Sequence, residues 1–374
     1  MEKSALFTHN RDVIHFNHAS SSPLALPTRE RMKKLVDELE FGDCSWEFWS
    51  DTLAQFRKQA ATLLNAETSE IAFVPNTSTG LLTALYSIPW QKGDNLILIK
   101  DGFPANRLPW LNNIEAVDAK LLPLQDEAPI EERIMKAVDS STKAVVLDWV
   151  DFFTGYKIDL SLIGNFCKEK NIFLVVDGMQ GLGAVQLDLK KIHVDFITAG
   201  SAKWLLGPVG AGILYVNKIT EKKLKPAFQG WMSLDWHDFN IFDPLPPLKQ
   251  GAARFEPGSY PEVPLVGFLE NLKIINKEGI QNINDKIFSL RKILVDGLKV
   301  MGADIISPLE LKHSSGILTF KFANRDSTQL WQKIDANNIK LAVRKNAIRC
   351  SPHFYNTSDE VKKMLSVVEE FCKS

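Results

Sequence analysis

The stretch FITAGSAKWLLGP, residues 196–208, places a lysine shortly after an apolar segment and before a loop rich in glycine and proline. Residues 196–199 are typical of a buried strand, and Lys203 stands among small and apolar neighbours. Most lysines are solvated surface charges, but these neighbours indicate partial burial. Because burial lowers the pKa of a lysine, Lys203 is a candidate nucleophile for a Schiff base.

Apolar segments alternate with helical patterns on both sides of this stretch, from about residue 29 to residue 216. Strands are predicted at 70–74, 95–100, 143–147, 173–176, 196–199 and 212–216, and helices at 80–88 and 159–170. Uninterrupted apolar strands that alternate with helices are typical of a parallel sheet covered on both faces. The sequence therefore predicts an α/β domain, which we place at residues 21–258.

The pattern changes after a proline-rich loop at residues 235–258. Longer helices at 264–278 and 283–300 precede strands at 316–322 and 340–344 and a last helix at 359–371. These elements predict a smaller α+β domain over residues 259–374. Residues 1–20 are expected to form an N-terminal arm that packs on this small domain.

Two other predicted strand ends carry polar residues, and ligands of open α/β sheets bind at the carboxyl ends of strands. Asn76, Thr77 and Ser78 precede a helix, where hydroxyls and backbone N–H groups suit a phosphate, although they also suit a plain helix cap. Asp177 ends another strand, and a buried carboxylate requires a structural partner, a metal or a protonated ring nitrogen. Together with Lys203, these groups are the set that pyridoxal 5′-phosphate (PLP) requires.

Over nearly its whole length the chain resembles the class V aminotransferase family of fold-type I PLP enzymes, in the isopenicillin N epimerase-like and cysteine desulfurase-like branch. The resemblance implies a mainly parallel central sheet flanked by helices, with a smaller C-terminal α+β domain. The motifs that carry it are Phe16–Ala19, Phe73–Gly80, Phe103–Asn106, Pro109–Trp110, Val175–Gln180, Val194–Phe196, Lys203–Pro208, Arg254–Ser259 and Arg349–Thr357.

The resemblance also implies the roles of the residues that surround the cofactor ring. Lys203 would form the aldimine with PLP and act as general acid and base at the substrate Cα. Asp177 would hold the proton of the pyridinium nitrogen, and Gln180 would hydrogen-bond the phenolic oxygen. Phe103 occupies the position that stacks on the ring, where many relatives carry histidine.

Further roles concern the phosphate and the substrate. The resemblance assigns Thr77 and Ser78 to the phosphate, and Ser259 to the phosphate of a neighbouring subunit, which implies a homodimer with shared active sites. Arg349 would anchor the substrate α-carboxylate, a task that suits a bidentate guanidinium. Arg344 would serve as an outer cation, and Asn17 would contribute to substrate binding.

The chain departs from the family pattern in two places. Many relatives carry Ser-x-His-Lys before the reactive lysine, whereas this chain has Gly200-Ser201-Ala202-Lys203, so a phosphate contact is expected to move to Ser201. Cysteine desulfurases carry a nucleophilic cysteine between the two arginines, but residues 345–348 contain none. This difference argues against persulfide transfer by the usual route. Asp151 also follows a predicted strand, although relatives often place an uncharged polar residue near this position.

These features predict a PLP-dependent enzyme that acts on an amino or keto acid, most simply an aminotransferase. The alternatives are a C–S β-lyase or an amino-acid epimerase, and a non-catalytic binding module remains open because of the altered segment 200–202. The net charge of −1 argues against a nucleic-acid or membrane-surface partner. Four scattered cysteines fit neither a zinc site nor a disulfide framework, and no window of about 18 apolar residues is present. We therefore expect a cytoplasmic protein without a metal.

Overall fold

The computed structural model describes residues 6–7, 13–42, 45–113, 117–238, 240 and 243–373. In that part of the chain the strands are β1 (Ile14–His15), β2 (Ile71–Val74), β3 (Asn95–Ile99), β4 (Asp118–Leu122), β5 (Thr142–Asp148), β6 (Phe173–Asp177), β7 (Phe196–Gly200), β8 (Gly212–Val216), β9 (Asp304–Ile305), β10 (Leu318–Lys321), β11 (Ile339–Lys340), β12 (Ala342–Arg344) and β13 (Ala347–Cys350).

The helices of the same residues are α1 (Leu26–Glu38), α2 (Trp46–Leu64), α3 (Thr77–Ser87), α4 (Pro104–Asn112), α5 (Ile130–Ala137), α6 (Leu160–Lys170), α7 (Lys218–Glu221), α8 (Glu262–Glu278), α9 (Ile280–Val300), α10 (Ser327–Ala336) and α11 (Ser358–Lys373). Side-chain caps fix several helix starts. Asp159, for example, accepts hydrogen bonds from the N–H groups of Ser161 and Leu162 at the start of α6, as its place before a helical pattern predicts.

The central sheet contains seven strands in the order β2-β8-β7-β6-β5-β3-β4. Strand β8 runs antiparallel to β2 and β7, and all other neighbours are parallel. Alternate residues of β5 enter different cores: Val145 and Leu147 pack on one face of the sheet, and Ala144 and Val146 on the other. Both faces are therefore buried, which confirms the predicted α/β class with a mainly parallel sheet.

The sequence pattern missed β4, α4 and α5, which lie toward one edge of this sheet. Strand β4 is the edge strand and has no fully buried residue, so it lacks the continuous apolar run of the central strands. Helix α4 contains Pro109 in its interior, which weakens its helical pattern.

The small domain has its own core around the four-stranded sheet β12-β13-β10-β9. The predicted strand 340–344 divides into two strands with different partners. Strand β11 pairs in parallel with β1 of the N-terminal arm, whereas β12 pairs with β13. The arm is thus joined to the small domain by backbone hydrogen bonds, and Phe16 lies in the small-domain core.

Helix α8 packs on α1 and α2, and its Phe268 lies 5.7 Å from Phe56 between ring centroids. The packing therefore places α8 with the large-domain helices, although the predicted boundary at residues 258/259 assigns it to the small domain. Of the helices that the structure describes, none is both long and apolar enough to cross a membrane.

Candidate active site

Lys203 and Asp177 meet at one edge of the central sheet. Asp177 ends β6, Lys203 lies three residues beyond the end of the adjacent strand β7, and the two groups interact electrostatically. Burial raises the pKa of Asp177 to about 6, opposed by a 2.8 Å hydrogen bond from the Met179 N–H and by Lys203. Burial lowers the pKa of Lys203 to about 8, and Asp177 opposes that shift. The amine is thus available as a nucleophile near neutral pH.

A tight turn fixes the backbone that carries Lys203. The Leu206 N–H donates to the Lys203 carbonyl at 3.0 Å, and Leu206 has a left-handed backbone with φ of 57°. This conformation is costly for a non-glycine residue. The buried Asn271 of α8 donates to the Leu206 carbonyl and so holds the turn from the adjacent helix.

Thr77 joins the start of α3 to the ends of two strands. Its hydroxyl accepts a 2.9 Å hydrogen bond from the Gly200 N–H and donates to the Met179 sulfur at 3.3 Å. The next residue, Ser78, is exposed in the first turn of the helix. The structure therefore brings both predicted phosphate residues to the edge that carries Lys203, in the first turn of α3, where backbone N–H groups suit an anion.

Phe103 also lies at this edge. Its ring is 40% exposed, and its centroid lies 5.3 Å from the Lys203 Nζ and 5.3 Å from the ring of Phe152. An exposed ring beside the reactive lysine provides a flat apolar surface for a bound heterocycle. The predicted stacking role of Phe103 is consistent with this position.

The other two predicted cofactor contacts, Gln180 and Ser201, differ in whether their side chains remain available to a ligand. Gln180 is buried, with its Nε2 donating to the Ala19 carbonyl and its Oε1 accepting from the Trp204 indole, which leaves one amide proton for a ligand. Ser201 is different because its side chain has no exposed surface and its hydroxyl donates to the Pro208 carbonyl. The expected transfer of a phosphate contact to Ser201 therefore conflicts with the structure.

A second group of residues, which forms another wall of the site, is centred on Arg349. This residue lies close enough to Lys203 to lower the pKa of the lysine. It is buried, and its terminal nitrogens donate to the Phe152 carbonyl at 2.5 Å and to the Ser20 hydroxyl at 2.6 Å. Its Nε is buried without a hydrogen-bond partner. Burial and the nearby Arg344 lower its pKa to about 10, so it stays charged at neutral pH. A buried cation with unused donor capacity is suited to an anionic substrate group.

The arm and the β12–β13 hairpin complete this wall. Asn17 forms a backbone bridge with Ser351, and its side-chain oxygen is buried without a partner. Arg344 is exposed at the end of β12, close enough to lower the pKa of Lys203. The hairpin closes through a two-residue turn, Lys345-Asn346, with φ of 47° and 55°. Positive φ at both residues is typical of the tightest hairpin connection.

Cysteines of the described residues lie away from this wall. Cys350 is buried in the small-domain core, 3.9 Å from the Met364 sulfur, and burial raises the pKa of its thiol. Cys167 is a buried residue of α6, and Cys372 lies in α11. Cys44 lies outside the described residues. The described residues also contain no cluster of side chains suited to a metal ion.

Sequence reasoning missed Asp148, the last residue of β5. It is buried, lies opposite Asp177 in the strand register, and accepts a hydrogen bond from the Phe103 N–H at 3.2 Å. Its place directly after the predicted strand 143–147 is the same signal that identified Asp177. Asp151 instead binds its own turn, where its Oδ1 accepts from the N–H groups of Phe153 and Thr154.

Ser259 is exposed and lies outside the wall formed by Arg349. It lines a cavity of about 370 Å³ together with Pro75 and Thr79, which flank the predicted phosphate residues, and a second cavity of about 410 Å³ that contains Trp46 and Trp231. The predicted contact with a neighbouring subunit remains a prediction.

The fold and this arrangement of lysine, carboxylate and phosphate loop define a class of PLP-binding enzymes. Residues 43–364 match the family model described as Aminotransferase class-V. The chain belongs to this PLP-dependent family, and its cofactor is PLP.

Relatives in this family carry different names. A probable cysteine desulfurase of Methanothermobacter thermautotrophicus is 24% identical, covering 96% of this chain and 95% of the relative. An uncharacterized aminotransferase of Bacillus subtilis, YcbU, is 25% identical over 93% and 92%. Two structures of the cystine C–S lyase C-DES, one with glycine covalently linked to its PLP cofactor, superpose with TM-scores of 0.88 and 0.87 at 20% identity, covering 97% and 96% of this chain and 98% of C-DES.

The residues of this chain fit the cofactor. Asp177 is a buried carboxyl that suits a protonated ring nitrogen, and Lys203 is a partly buried amine that suits an aldehyde. The start of α3 offers the exposed Ser78 and its free backbone N–H groups to a phosphate, whereas the Thr77 hydroxyl is already bonded to Gly200 and Met179. Relative to the Ser-x-His-Lys pattern of many relatives, Gly200 and Ala202 stand in place of the serine and the histidine.

Proposed function

We propose that this protein is a PLP-dependent C–S lyase that cleaves a cysteine-type amino acid by β-elimination and uses no cysteine of its own. The observation that carries this proposal is the two-residue turn Lys345-Asn346, which leaves no loop for a nucleophilic cysteine between Arg344 and Arg349. The names of the relatives support C–S chemistry, since one is a probable cysteine desulfurase and C-DES is a cystine C–S lyase. Transamination, the simplest expectation from the sequence, is the second candidate, supported by the name of the Bacillus subtilis relative.

When bound, PLP withdraws electrons from the substrate and acidifies its Cα–H bond. Asp177 would keep a proton on the ring nitrogen, and Arg349 would hold the substrate α-carboxylate. The Nζ of Lys203, with a pKa of about 8, would remove the Cα proton as a general base. The partly exposed ring of Phe103 would help to exclude water from the site.

Elimination breaks the Cα–H and Cβ–S bonds, and the electron pair leaves with sulfur. For cystine, one water is consumed, and the products are pyruvate, ammonia and cysteine persulfide. No oxidant or reductant is required, and no sulfur is transferred to a protein thiol. The same proton removal, followed by protonation elsewhere, would give transamination or epimerisation, so the position of the proton donors decides the outcome.

We also propose a homodimer. Around the two cavities that Ser259 lines, Trp46, Phe228 and Trp231 have 53%, 53% and 41% of their surface exposed. Exposed large apolar residues that cluster in this way are typical of protein interfaces. Sedimentation equilibrium would test this: a monomer at micromolar concentration would contradict the proposal.

The deciding experiment incubates the PLP-loaded protein with L-cystine, L-cysteine and a panel of other L-amino acids, without a keto acid. We expect catalytic release of pyruvate and ammonia from cystine or cysteine, with the cofactor spectrum restored after each turnover. Conversion of the cofactor to its amine form, reversed only by a keto acid, would establish transamination instead. Loss of optical activity without pyruvate would establish epimerisation.

One variant and the parent protein make this experiment specific. A Cys44→Ser variant is expected to keep full pyruvate release, because the proposed route needs no protein thiol. Loss of C–S cleavage in Cys44→Ser would indicate a persulfide route through that residue. Failure of the parent protein to bind PLP at all would favour the non-catalytic binding module.

A further inference from the structure

Asp148 lies beside the cofactor site but has no role in the mechanism above. It is the last residue of β5 and pairs in register with Asp177 of β6. Adjacent strands lie about 4.8 Å apart, and register partners of parallel strands point to the same face. Alternation along β5 places Asp148 on the face of Ala144 and Val146, which pack in the same core as Trp110 of α4.

The carboxyl of Asp148 holds the loop that leads into α4. Its Oδ2 accepts from the Phe103 N–H at 3.2 Å, and the amide Nδ2 of Asn106 donates to its Oδ1 at 3.3 Å. A Cβ on Gly102 would lie 2.4 Å from the Asp148 Oδ2, so the loop approaches this closely only because residue 102 is glycine. Asp148 therefore sets the position of Phe103, whose ring lies beside Lys203.

The surroundings of Asp148 disfavour a charged carboxylate. Burial raises its pKa well above the usual value, and the neighbouring carboxylates of Asp177 and Asp151 raise it further. Asn106 adds a second observation, because its side-chain oxygen is buried without a hydrogen-bond partner. Charged groups on the surrounding elements and loops are Asp101, Arg107, Asp151, Asp177 and Lys203.

A protonated Asp148 would reverse the direction of its hydrogen bond with Asn106. A neutral carboxyl has one O–H to donate, and rotation of the Asn106 amide by 180° turns its partnerless oxygen toward that donor, while the amide nitrogen takes the former place of the oxygen. The Phe103 N–H keeps its acceptor in this arrangement. Two ionised carboxylates on neighbouring strands would repel each other, so a proton on Asp148 leaves the charge on Asp177, which interacts with Lys203 more strongly than Asp148 does.

We propose that Asp148 is a positioning residue that remains protonated, donates to Asn106 and holds the Phe103 loop against the cofactor site while Asp177 carries the negative charge. The inference rests on the proposed function only in its use of the cofactor site and does not depend on the choice between elimination and transamination. It assigns Asp148 no contact with the substrate.

The first test uses the apoprotein, where no cofactor contributes. A carboxyl whose pKa is higher in the folded state binds a proton that the unfolded chain has lost, so its contribution to stability falls as pH rises above the ordinary carboxyl pKa of about 4. Asp148→Asn keeps the hydrogen bonds and has no proton to lose. We expect the variant to have a higher Tm than the parent at about pH 8 and an equal Tm at about pH 4.5.

The second test measures PLP binding by absorbance and by quenching of intrinsic fluorescence. Asp148→Asn is expected to keep the apparent Kd for PLP within about threefold, whereas Asp148→Leu, which removes both hydrogen bonds, should weaken binding by about tenfold or more. Asp101→Asn, on the exposed part of the same loop, is the matched control and should change neither the Tm profile nor the Kd.

Two results would overturn the inference. A Tm difference between Asp148→Asn and the parent that does not grow with pH would show that Asp148 is ionised in the folded protein. An Asn variant that loses PLP as strongly as the Leu variant would show that the charge itself is required. If Asp148→Leu does not fold, the comparison of Asp148→Asn with the parent remains decisive. A parent protein that fails to bind PLP would instead overturn the proposed function.

Discussion

The two walls of the site are built in different ways. The wall that we propose for the cofactor ring, the cofactor wall, comes from adjacent strand ends of one sheet, with Asp177 ending β6 and Lys203 following β7. The wall that we propose for the substrate, the substrate wall, joins three distant segments: Arg349 of β13 donates to the carbonyl of Phe152 and to the hydroxyl of Ser20 in the arm. The first wall depends on one sheet, and the second depends on how the arm and the small domain pack against it.

The two walls are therefore expected to reveal different properties of the protein. Strand ends of a single sheet are fixed by the core, so the cofactor wall changes little when surface segments change. The substrate wall depends on contacts between segments, and those contacts can vary with modest cost. We therefore expect the cofactor wall to define which family the protein belongs to, and the substrate wall to define which amino acid it accepts.

The largest effect is expected for Lys203→Ala, in the cofactor wall. Loss of the amine removes both the covalent attachment of PLP and the general base, and a positioned base alone contributes about 10²- to 10⁴-fold to rate. Borohydride reduction followed by peptide mapping should label the parent at Lys203 and leave the variant unlabelled. Lys190→Ala, an exposed lysine at the opposite end of the sheet, should behave as the parent. Turnover that survives in Lys203→Ala would contradict the mechanism.

A smaller effect is expected in the substrate wall, where Arg349→Lys and Arg344→Lys should differ. Arg349 is buried and binds two groups in a fixed geometry, so lysine should raise the substrate KM by about 10- to 100-fold. Arg344 is exposed, and its exchange should change the KM by about threefold or less. Steady-state kinetics on the PLP-loaded proteins would check this. Equal effects of both variants would mean that the α-carboxylate lies between the two arginines.

The smallest predicted effect is a pH dependence of cofactor loading. Lys203 reacts with an aldehyde only as the neutral amine, and burial sets its pKa at about 8 in the apoprotein. The rate at which PLP attaches should therefore rise roughly fivefold from pH 7 to pH 8 and level off above pH 9, as expected for titration of one group. Stopped-flow absorbance would follow the reaction. A rate that still rises tenfold per pH unit above pH 9 would indicate a solvated lysine.

Residues of the cofactor wall were predictable because each lies at the end of an apolar strand or within a few residues of it. This reasoning identified Lys203, Asp177 and the Thr77 loop, and it applies equally to Asp148, which directly follows the predicted strand 143–147. It failed for Ser201, whose neighbours suggested a phosphate contact but whose hydroxyl is used by the Pro208 carbonyl.

The substrate wall was less predictable from the sequence. Arg349 was identified by resemblance, but its contacts with Ser20 and Phe152 join residues that are far apart in the chain. The split of residues 339–344 into β11 and β12 has the same cause, since β11 pairs with β1 of the arm. Local patterns do not contain such long-range pairings.

The Lys345-Asn346 turn also limits how this chain can change over evolutionary time. A cysteine placed at either turn residue by a single amino-acid replacement would remain on a rigid two-residue connection with positive φ. A side chain held there cannot travel between a cofactor and an acceptor protein. Acquisition of sulfur-carrier activity at this turn would therefore require an insertion that lengthens the hairpin. Length at this one connection, read from a genome, is a simple marker for sorting related sequences.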